Sequence, residues 1–148
     1  MGGSLGAKSI NEAIDKHIDI FQKKGLQLIW QTGKAFAAQA AKAEVEKNNI
    51  WTNAFITRME YAYAAADVVV SRSGAMTIAE LSVVGKASIF VPYPFAAEDH
   101  QAENALTLVR QNAALMIRDS DVETKLMDTI LELVKDEKKI KELEINIS

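Results

Sequence analysis

The sequence predicts an α/β protein built on a doubly wound parallel sheet. Two observations lead there. Short β-branched runs alternate with stretches whose apolar residues recur at helical spacing, and glycine or proline closes most of these segments. Runs that are apolar throughout, joined by helices of ten or so residues, are strands of a parallel sheet covered on both faces. The crossovers are then right-handed, and ligands gather at the carboxyl ends of the strands.

The elements follow in order. After Gly2–Gly3–Ser4–Leu5–Gly6, the residues Ile10, Ala13, Ile14, Ile18 and Phe21 mark one helix that Gly25 stops. Leu26–Gln31 is a strand ended by Thr32–Gly33, and an alanine-rich helix runs from about Lys34 to Lys47. A strand around Ile50–Ile56 and a short helix from Met59 to Ala66 lead into the strand Asp67–Val70. A helix from Met76 ends near Gly85, and the strand Ala87–Val91 is closed by Pro92 and Pro94. A helix from about Asp99 to Gln111, the strand Ala114–Ile117 and a helix over Val122–Val134 complete the pattern. The charged tail to Ile145 is expected to be helical and to fray at its end, with Asp136–Glu142 as a solvated face.

A chain of 148 residues with 49% hydrophobic content buries one core and reads as one domain. Its net charge of −3 and lack of a basic stripe argue against a nucleic-acid partner. Without cysteine there is no disulfide and no thiolate metal site, which fits a reducing, cytoplasmic setting. His17 and His100 are far apart in sequence and make no metal cluster of their own. No run is long enough to span a membrane, and no signal peptide precedes the glycine-rich opening.

The most informative stretch is Arg72–Ser73–Gly74–Ala75–Met76–Thr77–Ile78–Ala79–Glu80, entered from Asp67–Val70. It reads as a strand, a tight turn and a helix start. Unpaired amides at a helix N-terminus, together with the helix dipole, suit a phosphate. Glu80, about one and a half turns further on, is placed to accept from hydroxyls beside that phosphate. Amides for a diphosphate and a carboxylate for ribose make a nucleotide the first expectation. The opening is not the dinucleotide fingerprint, because the glycine spacing differs and no acidic residue ends the strand Leu26–Gln31.

These residues resemble the MurG family of bacterial glycosyltransferases, in the C-terminal donor domain. The resemblance is carried by Gly2–Ala7 with Asn11, Gln31–Thr32–Gly33, Ala66–Thr77 with Glu80, and Val91–Pro94 with Asp99–His100–Gln101 and Asn104–Ala105. It covers nearly the whole chain. It implies a Rossmann-like half of a glycosyltransferase B fold and the transfer of N-acetylglucosamine from UDP-N-acetylglucosamine onto lipid I, giving lipid II for peptidoglycan. It further implies that Ser4 contacts the diphosphate, that the backbone of Ile56 meets uracil, and that Ala75, Met76 and Thr77 hold phosphate. Ile78 and Ala79 complete that segment, Glu80 takes the ribose hydroxyls and Gln101 reads the sugar. Arg72, Ser73 and Asn104 are further candidates.

No catalytic base is implied here, since the family's base lies in an N-terminal acceptor half outside this sequence. The lipid acceptor and the cytoplasmic membrane face are expected to meet that half alone, and this chain by itself is expected to be inactive. No cofactor and no metal are implied, and no Asp-x-Asp is expected near the site. Gly2–Gly3–Ser4 has the character of a loop that follows a strand, yet only Met1 precedes it. The central first strand is therefore expected to be missing, leaving edges that invite self-association.

Several residues have plainer readings. Most glutamates are simply exposed, Gln101 can decorate a helix start, and His100 reads as a solvated loop residue. Trp30 and Trp51 read as core or partly buried strand residues. Two other functions compete: a separate donor subunit that docks on a membrane partner, and a UDP-N-acetylglucosamine epimerase, which needs converging carboxylates and a histidine.

Overall fold

The computed structural model describes residues 7–95 and 100–148. Helices α1 (Lys8–Lys16) and α2 (Ile18–Lys23) precede strand β1 (Leu28–Gln31). A 3-10 turn over Lys34–Phe36 leads into α3 (Ala37–Glu46), then β2 (Ile50–Asn53) and α4 (Met59–Ala65). Strand β3 (Val68–Ser71), α5 (Ala75–Val84), β4 (Ala87–Phe90), α6 (His100–Arg110) and β5 (Leu115–Met116) follow. A 3-10 turn at Asp119–Asp121 opens α7 (Val122–Val134), and α8 (Glu137–Ile147) ends the chain.

All strand pairs among the described residues are parallel. They form two sheets, β1–β2 and β3–β4–β5. The register sets Leu28 against Ile50, Val68 against Ala87, and Ile89 against Leu115. The expectation about the strand before Gly2 concerns residues outside those described.

The cores show why the apolar runs are continuous. Val68 and Val70 pack with Ile89, Val91, α1 and α7 on one face, whereas Val69 and Phe90 pack with Tyr63, Leu81 and Ala105 on the other. Alternate residues of one strand thus serve opposite faces, and both faces are apolar. Trp30 and Ile50 of the smaller sheet belong to the first core, which therefore spans both sheets.

Three expectations are corrected. The first helix is broken at His17, which caps α1 with φ −110° and ψ 22°. Ile18 and Phe21 can then turn onto the core on a separate axis. The strand expected over Ile50–Ile56 pairs only as far as Asn53, and the chain then leaves for the site. The tail does not fray. Leu143 is wholly buried, Ile147 nearly so, and α8 packs against β4 and α7. Asp136 caps this helix by accepting from the Lys139 N–H at 3.0 Å. The charge run is its outer face, and its apolar stripe closes the sheet.

Candidate functional site

The carboxyl ends of β1, β2, β3 and β4 deliver four segments to one region. β3 ends at Ser71, and the chain turns through Arg72, Ser73 and Gly74 into α5. The first intrahelical bond of α5 runs from the Ile78 N–H to the Gly74 carbonyl at 3.0 Å. The amides of Ala75, Met76 and Thr77 therefore have no acceptor within the helix. Among the described residues no side chain caps this end, and no acidic residue occupies the first turn. Ala75, Met76, Ala79 and Glu80 are exposed and Thr77 half-buried, so the helix start opens to solvent. Ile78 packs against the second core, which leaves only its backbone for a ligand.

Glu80 lies three and four residues beyond Thr77 and Met76, on the same side of α5. Its Oε2 accepts a hydrogen bond from the Tyr63 hydroxyl at 3.1 Å. Tyr63 is buried, and burial followed by the neighbouring carboxylate pushes its phenol above the ordinary tyrosine value. It is a neutral donor at physiological pH.

The β4–α6 segment is tied to the β3–α5 turn by Gln101. Gln101 Oε1 accepts from the amides of Ser73 at 3.3 Å and Tyr93 at 2.9 Å. Ser73 Oγ donates to the Gln101 carbonyl at 2.7 Å, and Asn104 Nδ2 donates to the Ser73 carbonyl at 3.2 Å. Ser73 is completely buried. Ser73 and Asn104 thus shape the turn from within, while Gln101 keeps its Nε2 group beside Gly74, 3.8 Å from the position of a Cβ there.

Arg72 turns inward as well. Its guanidinium lies 2.6 Å from Asp119 and also donates to Ser9 Oγ and to the carbonyls of Val91 and Pro92. It sits 5.4 Å from the centre of the Tyr93 ring. Asp119 also accepts a hydrogen bond from Ser9. This corrects the expectation that no Asp-x-Asp lies near the site. Asp119–Ser120–Asp121 is such a triplet, and folding brings its first carboxylate against the residue preceding Ser73. There it answers a buried cation.

The β1 and β2 ends meet through Gln31, whose Oε1 accepts from the Ile56 N–H at 2.9 Å. The Ile56 carbonyl accepts no hydrogen bond among the described residues. Asn11 links this corner to α1: its Nδ2 donates to the Thr32 carbonyl at 2.8 Å and its Oδ1 accepts from the Trp30 indole at 3.0 Å. Trp30 is buried, while Trp51 is about half exposed. Ser4 lies outside the described residues. Gln31 and Tyr63 are the supporting residues that sequence reasoning missed. Gln31 belonged to a quoted motif without a role, and nothing in sequence pairs Tyr63 with a carboxylate seventeen positions away.

No helix among the described residues is long and apolar enough to cross a membrane.

Residues 1–147 match the model of the glycosyltransferase family 28 C-terminal domain. A protein of Parabacteroides distasonis named UDP-N-acetylglucosamine–N-acetylmuramyl-(pentapeptide) pyrophosphoryl-undecaprenol N-acetylglucosamine transferase is 46% identical, over 99% of this chain and 40% of its own length. A Bacteroides thetaiotaomicron protein of the same name is 45% identical, over 100% of this chain and 41% of its own. The crystal structure of Acinetobacter baumannii MurG superposes with a TM-score of 0.82 at 28% identity, covering 99% of this chain and 43% of that one. The chain thus spans about two fifths of the length of the curated relatives it matches. With the family model covering all but its last residue, the chain belongs to the glycosyltransferase family 28 C-terminal domain family.

Proposed function

We propose that this chain is the donor-binding half of a transferase that moves N-acetylglucosamine from UDP-N-acetylglucosamine onto lipid I, giving lipid II. The observation that carries this reading is the uncapped start of α5, with Glu80 on the same side of the helix and Gln101 tied to the turn before it. The names and the extent of the similar proteins support it. The amides of Ala75, Met76 and Thr77, with Ser4, receive the diphosphate, the Ile56 backbone meets uracil, and Glu80 accepts from ribose hydroxyls. Gln101 donates from Nε2 to an oxygen of the sugar.

In the transfer, the bond between the anomeric carbon and the β-phosphate oxygen breaks, and the electron pair leaves with UDP. An acceptor hydroxyl oxygen forms the new bond to that carbon and gives its proton to a base outside this chain. Charge grows on the departing β-phosphate. Fixed amides at the helix start stabilise that charge in the manner of an oxyanion hole, without reorganising during the reaction. The acceptor, the base and the contact with the cytoplasmic face of the membrane belong to the other half of the enzyme, and closure of the two halves completes the site. This chain alone is then inactive.

The test is calorimetric titration of this chain with UDP, UDP-N-acetylglucosamine and NAD. Uridine nucleotides bind, with affinity near millimolar, ~4 kcal/mol, because half the cleft is absent. Binding of NAD with indifference to uridine nucleotides overturns the reading. So does formation of product from a lipid I analogue by this chain unaided, for the assignment of the base to another segment.

A further inference from the structure

We infer that Tyr63 is a positioning residue for the donor site: its buried phenol holds the Glu80 carboxylate so that the second oxygen is presented to the ribose hydroxyls of a uridine nucleotide. This rests on the donor-binding reading above and adds to it a residue on a different element.

The argument begins with the two environments. Glu80 stands on the open side of α5 with three side-chain torsions, and among the described residues its carboxylate has no other hydrogen bond or ion pair. Left to itself it samples many rotamers, and a ligand must order it on binding. Tyr63 is the opposite case. It stands on α4, only 6% exposed, with its ring in the core cluster of Val69, Leu81 and Phe90. A tyrosine so packed has little rotational freedom, and its one polar atom requires a partner. That partner is Glu80 Oε2, at 3.1 Å.

The hydrogen bond therefore runs from a rigid donor to a mobile acceptor, and it transfers the rigidity of the core to the surface carboxylate. A carboxylate has two oxygens and about four acceptor sites. Engaging Oε2 from the protein side leaves Oε1 for the ligand, on the same side of the helix as the open amides of Met76 and Thr77. The phenol stays protonated because burial and the adjacent carboxylate both oppose its ionisation. It donates across the whole range in which a nucleotide binds. Preorganisation of this kind raises affinity by lowering the ordering cost, with no contact between Tyr63 and the ligand.

A purely structural role is the alternative, with Glu80 present only to satisfy a buried hydroxyl. The two roles are separated by measuring binding of UDP and of 2′,3′-dideoxyuridine diphosphate to this chain and to its Tyr63→Phe and Glu80→Ala variants. Phenylalanine keeps the ring and removes only the donor. The expected result is that Tyr63→Phe weakens UDP binding about three- to ten-fold, the scale of one hydrogen bond to a charged group, and leaves the dideoxy compound unaffected. In the Glu80→Ala background, Tyr63→Phe has no further effect. If Glu80→Ala weakens UDP and Tyr63→Phe does not, the inference falls and the donor reading stands. Equal weakening of both nucleotides by Tyr63→Phe also overturns it, since a general loosening of the fold makes no distinction between sugars. If the unsubstituted chain ignores UDP at millimolar concentration, or Glu80→Ala changes nothing, the donor reading of Glu80 itself has failed and the inference with it.

Discussion

Ser73 donates to Gln101 twice, once from its side chain and once from its backbone. The Ser73 hydroxyl donates to the Gln101 carbonyl at 2.7 Å, and the Ser73 amide donates to the Gln101 side-chain oxygen at 3.3 Å. Because Tyr93 donates to that same oxygen at 2.9 Å, the amide of Gln101 has one defined orientation. Its oxygen is bound by the two amides, and its nitrogen lies beside Gly74. A loop after β3 and a loop after β4 are joined through a single acceptor.

That junction has a stability signature. Gln101→Ala leaves two amides without their acceptor and is expected to cost about 1–3 kcal/mol, whereas Gln101→Glu keeps an oxygen in place and costs less. Urea unfolding of the two variants checks the order.

Arg72 and Asp119 form a second junction, from β3 to the turn before α7. Asp119 is only partly buried, and without it Arg72 keeps the Val91 and Pro92 carbonyls and Ser9 as partners. Asp119→Ala is therefore expected to destabilise by about 1–3 kcal/mol, and Arg72→Met together with Asp119→Ala by less than the sum of the single changes. Denaturant midpoints of the single and double variants measure the coupling.

The response to high pH follows from Tyr63. Its folded-state pKa is raised above the ordinary value of 10.0, by burial first and Glu80 second. The unfolded chain thus releases this proton more readily than the folded one. The associated stability is fully present below pH 10 and is lost as pH climbs beyond it. Melting curves at rising pH should fall more steeply for the parent chain than for Tyr63→Phe. Lys47, raised by Asp19, acts in the same window in both proteins and cancels in the difference.

At low pH the relevant groups are Asp19, Glu60 and Glu123. Hydrogen bonds from Lys47, Arg58 and Lys16 hold their carboxyls below their usual values. Lowered pKa values give stability that is present above the unfolded values of 3.8 and 4.5 and lost as pH falls. All three are solvent-exposed, so high salt should flatten this limb of the stability curve.

Gly85 ends α5 in the left-handed region, with φ +64° and ψ 45°. A Cβ there meets Ser148 at 3.6 Å, which is ordinary contact, so the cost of substitution is backbone strain. Gly85→Ala is expected to lose about 1–2 kcal/mol and Gly85→Asn less, because asparagine visits this region more readily. Thermal melts of the two variants test the order.

Local pattern in the sequence determined the order of strands and helices and the uncapped start of α5 after Gly74, at the carboxyl end of β3. Each of these depends on neighbours within a few residues: the period of apolar positions, a glycine, a β-branched run. Resemblance supplied expected roles for Ile56 and Gln101 that pattern alone left open. What tertiary structure decided was partnership. Arg72 was a site candidate in sequence, and packing turned it toward Asp119, forty-seven residues away. The charged tail looked like a fraying helix until Leu143 and Ile147 found the sheet. Glu80 was a site candidate in sequence, but its partner Tyr63, seventeen positions away, was not legible there. A side chain's partners depend on which distant elements share its face of the sheet, and local spacing carries no information about that.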